Sequence, residues 1–442
     1  MKHPGFLYIV SWEVANRLGG VHTVLETSAS HVKGLFGRDL LYIGPDLWVD
    51  RAEAAFEEDP VQPEIAELSA ERDVPVRFGR WLVDGGPRCA LVHFGRLLER
   101  RNEILGELWN QHGVDSIAAD WDTVERILFG YAVGKFVEMH YHAAVRPRAR
   151  RAVAHFHQWT AGSGLLYLAT NAPEIGTVYT PHGTTLGRGL GASGVSPAEY
   201  ETIDAYAAAK ERGLEAQHTV EAGAVKNACV LTTVSEQVAE EAAHLLGRRP
   251  EIITPNGYES EIDADPVHRS EVRAAVFRTA ERFLGTPLDP EATRIALCSG
   301  RYEFRNKGFG HALAALGRLR ERGDALPRHL LFLIFVPANQ TGLRPEVTRR
   351  LKTSELAGAP CGICTHNLAH PESDLILEAC KTAALENAVG DKVHVVFAPV
   401  MLSRRDPLFP YNYIDVLRAS DFSVFPSLYE PWGYTPVESL DA

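Results

Sequence analysis

Two cations six positions apart, Arg301 and Lys307, follow a predicted strand over Arg294–Ser299 and precede a predicted helix. A loop in this place can hold both positive charges against a diphosphate and stabilise the negative charge that develops as the diphosphate leaves. A solvated loop with surface cations is the alternative, and the residue types alone do not separate the two. The segment therefore predicts either a diphosphate clamp or an ordinary surface loop.

A pair of glycines, Gly19 and Gly20, lies between a predicted strand over Phe6–Val10 and a predicted helix that begins at Gly20. Glycines let the backbone approach a ligand closely, and the free amides and positive dipole of a helix N-terminus favour phosphate. Arg17 could add charge-assisted hydrogen bonds. A tight turn is the plain alternative. The segment lacks the G-x-G-x-x-G pattern of dinucleotide enzymes, which disfavours a dehydrogenase.

Two carboxylates near the end of the chain, Glu430 and Glu438, follow a predicted strand over Phe422–Phe425. The spacing Thr435-x-x-Glu438 is typical of a capping box on a helix that begins at Pro436, which is a structural role for Glu438. That role leaves Glu430 unexplained in an aromatic-rich loop. Two carboxylates beside a helix N-terminus can bind the hydroxyl groups of a sugar or ribose while the helix dipole faces phosphate.

Candidate metal ligands do not gather at ligand spacing. His155 and His157 close one predicted strand and His182 follows the next, without a carboxylate in the usual arrangement. The pair Asp263-Ala-Asp265 lies in an acidic linker rather than behind an apolar strand. It indicates solvated charge and not the metal site of a sugar transferase. We therefore expect structural roles for the histidines rather than a metal site.

The six cysteines do not form a disulfide framework, and a reducing cytoplasm is the expected compartment. Cys361-x-x-Cys364, with His366 close behind, lacks the second such pair that would complete four zinc ligands. We expect no metal and no other cofactor. The N-terminus lacks the apolar core of a signal peptide, and the longest apolar stretch, Leu330–Val336, is about a third of a membrane span.

The composition excludes further classes of function. The chain has 442 residues, with 45 Lys and Arg against 57 Asp and Glu, a net charge of −12. Nucleic-acid backbones and anionic membranes reward an excess of positive charge, so neither is an expected partner. A hydrophobic content of 45% is ordinary for a globular protein with a core, and the length suits two or three domains.

Short apolar runs alternate with helical stretches, the pattern of parallel β/α units. The strands predicted in the first half are Phe6–Val10, Leu40–Ile43, Cys89–Phe94, Ala152–Phe156, Gly176–Thr180, Ala228–Thr233 and Glu251–Thr254. A second series begins at Arg294–Ser299. The turn dipeptide Asn256-Gly257 and the acidic stretch behind it predict domains over 1–257 and 258–442. In open α/β sheets ligands bind at the carboxyl ends of the strands, so a cleft between two such domains is expected.

Together these segments resemble the glycogen synthase family, in its UDP-glucose-using animal and fungal branch. The motifs that carry the resemblance are Trp12-Glu-Val-Ala-Asn-Arg-Leu-Gly-Gly20, His155-Phe-His-Gln-Trp159, Thr254-Pro-Asn-Gly257, Gly300-Arg-Tyr-Glu-Phe-Arg-Asn-Lys-Gly308 and Tyr429-Glu-Pro-Trp-Gly-Tyr-Thr-Pro-Val-Glu438. The resemblance implies two Rossmann-like domains facing across a cleft, the GT-B fold of metal-independent retaining glycosyltransferases. It also implies transfer of glucose from UDP-glucose to the non-reducing end of an α-1,4-glucan such as glycogen.

The resemblance also implies roles for individual residues. The catalytic set is Glu430, Arg301, Lys307 and His182. The substrate-binding set is Arg17, Gly19, Gly20, Gln158, Arg188, Asn256, Tyr413, Trp432, Gly433, Tyr434 and Glu438. Arg301 and Lys307 resemble the diphosphate clamp, Glu430 the acid beside the transferred glucose, and Tyr413 the aromatic residue that stacks on uracil. Glu438 falls near the ribose, while His182 and Arg188 fall at the donor sugar or the acceptor.

Three departures from the family pattern qualify these expectations. Gln158 stands where the family usually has Glu, and an amide cannot act as an anion or a base, which predicts a slower enzyme or a different sugar. A long helical insertion is mostly absent, so the oligomeric state stays open, a homo-oligomer included. The sequence ends four residues after Glu438, which predicts an incomplete second domain and leaves an inactive glucan-binding or nucleotide-sugar-binding fragment as an alternative.

Overall fold

The computed structural model describes residues 5–47, 55–59, 63–148, 150–260, 266–352, 356 and 358–442. The chain divides into two compact units. Unit 1 comprises Met1–Leu190 and Val195–Glu259, and unit 2 comprises Gly191–Gly194 and Ser260–Ala442. The main division thus falls between Glu259 and Ser260. The acidic pair Asp263 and Asp265 lies outside the described residues.

Unit 1 is built on a nine-stranded sheet with the order β3-β4-β5-β2-β1-β6-β7-β8-β9. Its strands are β1 Phe6–Val10, β2 Leu40–Pro45, β3 Phe56–Glu58, β4 Val76–Trp81, β5 Arg88–Val92, β6 Ala152–His157, β7 Gly176–Thr180, β8 Val230–Thr233 and β9 Ile252–Ile253. The strands from β5 through β2 and β1 to β9 run parallel, and every residue of β2 is buried, as expected of a strand covered on both faces. The parallel α/β prediction is confirmed.

Helices of unit 1 connect the parallel strands. They are α1 Gly20–Phe36, α2 Pro63–Glu71, α3 Arg101–His112, α4 Trp121–His140, α5 Trp159–Asn171, α6 Thr185–Ala192, α7 Ala205–Glu211, α8 Glu215–Asn227 and α9 Glu236–Leu245, with α6 ending at the first residues assigned to unit 2. The predicted N-cap Ser235 is confirmed, because its side chain accepts a hydrogen bond from the Val238 amide at 3.3 Å.

Unit 2 has a four-stranded parallel sheet with the order β14-β11-β10-β15 and a separate antiparallel pair, β12 and β13. The strands are β10 Thr293–Ser299, β11 His329–Phe335, β12 Gln340–Leu343, β13 His366–Leu368, β14 Val393–Ala398 and β15 Phe422–Ser423. The helices are α10 Pro266–Leu284, α11 Phe309–Glu321, α12 Pro345–Leu351, α13 Leu375–Thr382, α14 Tyr413–Ala419 and α15 Tyr434–Asp441. No helix within the described ranges is long and apolar enough to cross a membrane.

The start of α15 corrects one prediction. The helix begins at Tyr434 and not at Pro436, because Gly433 takes the N-cap position in a left-handed conformation with φ of +81°. Thr435 therefore lies inside the first turn, and the predicted capping box between Thr435 and Glu438 is wrong: the N-cap residue makes no side-chain capping bond. Glu438 is thereby freed from the structural role that the spacing had suggested.

Candidate functional site

An ion pair joins Lys307 and Glu430, which lie 123 positions apart in the sequence. Lys307 follows β10 and Glu430 follows β15, and these two strands are parallel neighbours in unit 2. Lys307 Nζ donates to Glu430 Oε2, which also accepts from Ser427 Oγ at 3.1 Å. The Lys307 side chain is 12% exposed and the Glu430 side chain 26% exposed. The structure thus brings the predicted clamp cation and the predicted acid together in a partly buried place.

Close packing of two loops makes this ion pair possible. The Leu428 amide donates to Asn306 O at 2.8 Å, which ties the loop after β15 to the loop after β10. Gly308 lies between them with φ of +67°, and a Cβ at this position would lie 1.9 Å from Pro426 O. Only glycine meets both demands, the left-handed backbone and the absent Cβ. Gly308 is therefore a structural requirement of the Lys307–Glu430 pair.

We expect Gly308→Ala to destabilise unit 2 by about 2 kcal/mol or more, because a left-handed alanine costs about 1 kcal/mol and the contact with Pro426 adds to that cost. Chemical denaturation of both proteins measures the change. Gly390→Ala is the matched control, since Gly390 also has positive φ, +90°, but an added Cβ meets nothing within 4 Å. Equal losses in the two variants would show that the loops do not need this close approach.

The second predicted clamp residue, Arg301, lies on the surface of unit 2. Its side chain is 59% exposed, and its guanidinium pairs with Glu303 at 3.1 Å. Glu303 also accepts from the Asn306 side chain at 3.1 Å, so the whole loop after β10 is internally bonded. The exposed Arg301 is accessible to an anionic ligand. A ligand that approaches the ammonium group of Lys307 must also come close to Glu430.

Aromatic and acidic side chains lie near the same strand ends. Ser299 Oγ donates to the Tyr413 hydroxyl at 3.0 Å, and burial raises the pKa of Tyr413. Burial and the nearby Glu438 raise the pKa of Tyr434 to about 12, and burial raises the pKa of Glu438 itself. Trp432 Nε1 is buried and has no hydrogen-bond partner among the described residues. A buried indole N–H without an acceptor is a donor suited to a ligand.

A carboxylate occupies the helix N-terminus that the glycine pair was predicted to offer to phosphate. Glu13 Oε2 accepts from the Gly19 amide at 2.8 Å and from the His22 amide at 2.9 Å, at the start of α1 in unit 1. Helix N-termini favour negative charge, so the carboxylate is well placed there. Arg17 and Gly20 are exposed beside it. Phosphate binding by this turn stays a prediction, and it requires Gly19 to exchange partners.

A cavity of about 250 Å³ opens in unit 1. It is lined by Trp12, Glu13, Leu18, Arg126, Gln158, Trp159, Thr160, Gly183, Thr184, Thr185 and Arg188. Gln158 and Arg188 were predicted site residues. Gln158 has φ of +66°, an unfavourable conformation for a residue with a side chain. Its backbone N–H donates to Thr180 O at 3.1 Å. The Arg126 guanidinium lies 4.9 Å from the Trp12 ring centroid.

Three histidines form a connected group beneath the ends of β6 and β7. His157 Nδ1 and His182 Nε2 are 2.9 Å apart, and the rings of His155 and His157 lie 4.0 Å apart. Burial lowers the pKa of His155 to about 4 and that of His182 to about 3, and it lowers the pKa of His157 as well. All three are therefore neutral near pH 7. The buried His182 Nδ1 has no partner in the part of the chain that the structure describes, so His182 can bond a sugar hydroxyl as a neutral group.

Asn256 lies half-buried in unit 1, behind β9. Cys361 and Cys364 are buried, and Cys364 Sγ donates to His366 O at 3.3 Å. Within the described ranges no group of three or more His, Cys, Asp or Glu side chains could hold a metal ion.

Sequence reasoning missed four residues that the structure places at or under the cavity: Glu13, Arg126, Glu221 and Glu241. A signal existed for the last. The buried apolar residues of α9 are Val238, Ala239, Ala242 and Leu245, and Glu241 falls on the same face. A glutamate on the apolar face of a helix is rarely buried without a polar partner.

The sequence model of the glycogen synthase family matches residues 9–352 and 344–440. The chain belongs to the glycogen synthase family. Its relatives in this family include the glycogen [starch] synthase of Caenorhabditis elegans, 31% identical over 98% of this chain and 74% of the relative, and that of Neurospora crassa, 30% identical over 98% and 70%. The human liver glycogen [starch] synthase is 29% identical over 98% of this chain and 70% of its own length.

A solved structure agrees with the fold. The catalytic domain of starch synthase IV from Arabidopsis thaliana, bound to ADP and acarbose, has a TM-score of 0.51 and 15% identity over 99% of this chain and 81% of that chain. At this identity the likeness concerns the fold alone. The predicted resemblance, the GT-B fold class and the enzyme class, a glycosyltransferase, are confirmed. The roles given to individual residues of this glycogen synthase family member stay predictions.

Proposed function

We propose that the protein transfers glucose from UDP-glucose to the non-reducing end of an α-1,4-glucan, with retention of the anomeric configuration. The observation that carries the proposal is the Lys307–Glu430 pair on two neighbouring strand ends of a glycogen synthase family member. A lysine that already compensates one anion in a partly buried place can compensate the charge of a diphosphate there. The relatives named glycogen [starch] synthase support the choice of glucan.

In this proposal Lys307 and Arg301 bind the diphosphate, and Glu430 lies beside the transferred glucose. The bond between the anomeric carbon and the diphosphate oxygen breaks, and its electron pair leaves with UDP. The acceptor 4-hydroxyl oxygen then bonds the anomeric carbon on the same face, and the hydroxyl proton passes to the departing phosphate oxygen. Fixed cations stabilise the leaving group because the negative charge on it grows as the bond breaks.

The cavity of unit 1 supplies the sugar-binding side of the proposal. Arg188 and Gln158 line it, and the neutral His182 directly precedes the lining segment from Gly183 to Thr185. Polar groups at fixed positions, with the indole of Trp159 among them, are typical of sites that orient a sugar ring. We propose that these residues contact the sugar and not the nucleotide.

We propose that no metal ion or other cofactor takes part, since the two clamp cations can balance the diphosphate. We also propose a cytoplasmic location. Each of the six cysteines is a free thiol, as expected of a protein in a reducing compartment. UDP-glucose and an α-1,4-glucan are the proposed partners.

The direct test mixes the full-length protein with UDP-glucose and glycogen and follows both UDP release and lengthening of the glucan chains. We expect both to depend on the presence of glycogen. The Glu430→Gln variant serves as the control for background hydrolysis. UDP release no faster than in that variant would refute the proposed function.

A different donor or acceptor is the second candidate, because Gln158 lines the cavity in the place where the family usually has a glutamate. An amide binds a hydroxyl group but carries no charge to stabilise a positively charged transition state. A panel of ADP-glucose and other UDP-sugars, tested with the native chain and with Gln158→Glu, decides between the two. Strict preference for UDP-glucose on glycogen in both proteins would eliminate this candidate.

A further inference from the structure

Two buried carboxyl groups lie under the start of α6. Glu221 on α8 and Glu241 on α9 are both 0% exposed. Glu221 Oε2 accepts from the Thr185 amide at 2.9 Å. Glu241 Oε2 accepts from the Thr184 amide at 3.0 Å and from Thr184 Oγ1 at 2.9 Å. Two consecutive backbone amides are therefore each held by a different buried glutamate.

The packing around Glu241 leaves little room for movement. Thr184 Oγ1 accepts from the Gly187 amide at 2.9 Å, so the carboxylate, the threonine and the first turn of α6 are linked. A Cβ on Gly187 would lie 2.6 Å from Glu241 Cδ. Gln237 Nε2 donates to the other carboxylate oxygen at 3.2 Å. The carboxylate is thus fixed on both sides.

The segment that these glutamates hold belongs to the cavity of unit 1. Gly183, Thr184, Thr185 and Arg188 all line it, and His182 is the residue before them. Neither glutamate lines the cavity, so neither can touch a ligand there directly. Whatever they contribute must act through the segment that they hold.

We propose that Glu221 and Glu241 are positioning residues: by holding the Thr184 and Thr185 amides they set where Arg188 and His182 lie at the sugar cavity. The inference rests on the proposed function only in taking this cavity as the sugar site. A buried polar partner is costly to lose, because it leaves the amides without acceptors. The pair therefore fixes the segment more firmly than apolar packing alone.

The protonation of Glu221 makes the arrangement testable. Burial above all raises the pKa of Glu221 to about 8; the hydrogen bonds from Thr185 and the charge of Arg188 oppose this rise, and Glu241 adds to it. Tyr179 faces Glu221 from β7, and burial, together with the nearby Glu221, raises the pKa of Tyr179. Glu221 is therefore mostly protonated at pH 7. Above pH 8 Glu221 becomes charged in a fully buried place beside Glu241, and we expect the segment to loosen.

The pH dependence of folding stability tests the burial of Glu221 without any substrate. Between the ordinary glutamate pKa, about 4.5, and pH 8 the unfolded chain loses a proton that the folded chain keeps, so folding stability falls as the pH rises through this window. Glu221→Gln removes this dependence and still offers an oxygen to Thr185. We expect the variant to melt at a higher temperature than the native chain at pH 8.5, and to show a smaller gain at pH 5.

The matched control is Glu99→Gln, which removes an exposed carboxylate of the same unit and should leave the melting temperature unchanged at both pH values. If the difference in melting temperature between Glu221→Gln and the native chain were the same at pH 5 and pH 8.5, the inference would be overturned. This arm does not depend on the activity, so it decides the matter even if the native protein fails to use UDP-glucose.

Turnover tests the consequence. With a pKa of about 8, Glu221 is mostly ionised at pH 9, so we expect kcat of the native chain to fall about tenfold from its pH 7 value while Glu221→Gln keeps most of its turnover. Glu241→Ala should lose at least tenfold at pH 7, and Glu241→Gln, which can still accept from Thr184, should recover part of that loss. An alkaline decline that is the same in Glu221→Gln would overturn the positioning role, whereas an inactive native chain would count against the proposed function alone.

Discussion

Replacing Lys307 by alanine is expected to lower kcat by about 100- to 1,000-fold, the usual loss when one fixed group that stabilises developing charge is removed. Lys307 is held in the loop after β10 by its pair with Glu430, so its ammonium group has a fixed position at the proposed diphosphate site. The affinity for the glucan should change by less than about threefold, because the acceptor does not contact this lysine in the proposed mechanism. Initial rates at varied UDP-glucose and glycogen measure both quantities.

Lys381→Ala is the matched control. Lys381 is an exposed lysine on α13 of the same unit, so its removal changes the net charge equally without touching the strand ends. Lys307→Arg should not restore the rate, because the planar guanidinium does not fit the place of a compact ammonium beside Glu430. Equal losses in turnover and in glucan affinity would contradict the assignment of Lys307 to the diphosphate.

Much of the fold could be predicted because apolar runs mark buried parallel strands. Every strand predicted in the first half appears in unit 1, and β1 and β7 keep their predicted bounds. The antiparallel strands β3 and β4 were missed, since Val-Arg-Phe-Gly-Arg-Trp over β4 mixes charged residues and glycine with the apolar ones. Charged residues and a glycine interrupt the apolar pattern, so β4 leaves a weaker signal in the sequence although it pairs with a strand on each side.

The sequence predicts which strand each site residue follows, but not which of these residues meet in space. Lys307 and Glu430 were each predicted from their positions after a strand, but their ion pair depends on β10 and β15 being neighbours, which strand order along the chain does not reveal. The buried glutamates Glu221 and Glu241 were missed because charged residues are normally assigned to helix surfaces. Their partners are backbone amides from another element, and no sequence pattern marks those.

Glu430→Gln is expected to lower kcat by about 100-fold or more, since the amide keeps the shape of the side chain but loses the charge beside the transferred glucose. The same change leaves the partly buried Lys307 without its anion, and Lys307→Ala leaves Glu430 without its cation. We therefore expect each single variant to be destabilised and the double variant to be less destabilised than the sum, with a coupling of about 1 kcal/mol for a partly exposed pair. Denaturation of the four proteins measures this coupling.

The pair Arg320–Asp391, 3.1 Å apart and also partly exposed in unit 2, provides the control cycle. Its coupling in stability should be similar, because its geometry and exposure are similar, but its loss should leave kcat within about twofold of the native value. For Lys307 and Glu430 the double variant should be about as inactive as the slower single variant, because both groups act on the same transition state and their effects do not add. Strictly additive losses in both stability and turnover would mean that the two side chains act independently. The ion pair would then contribute neither to folding nor to catalysis.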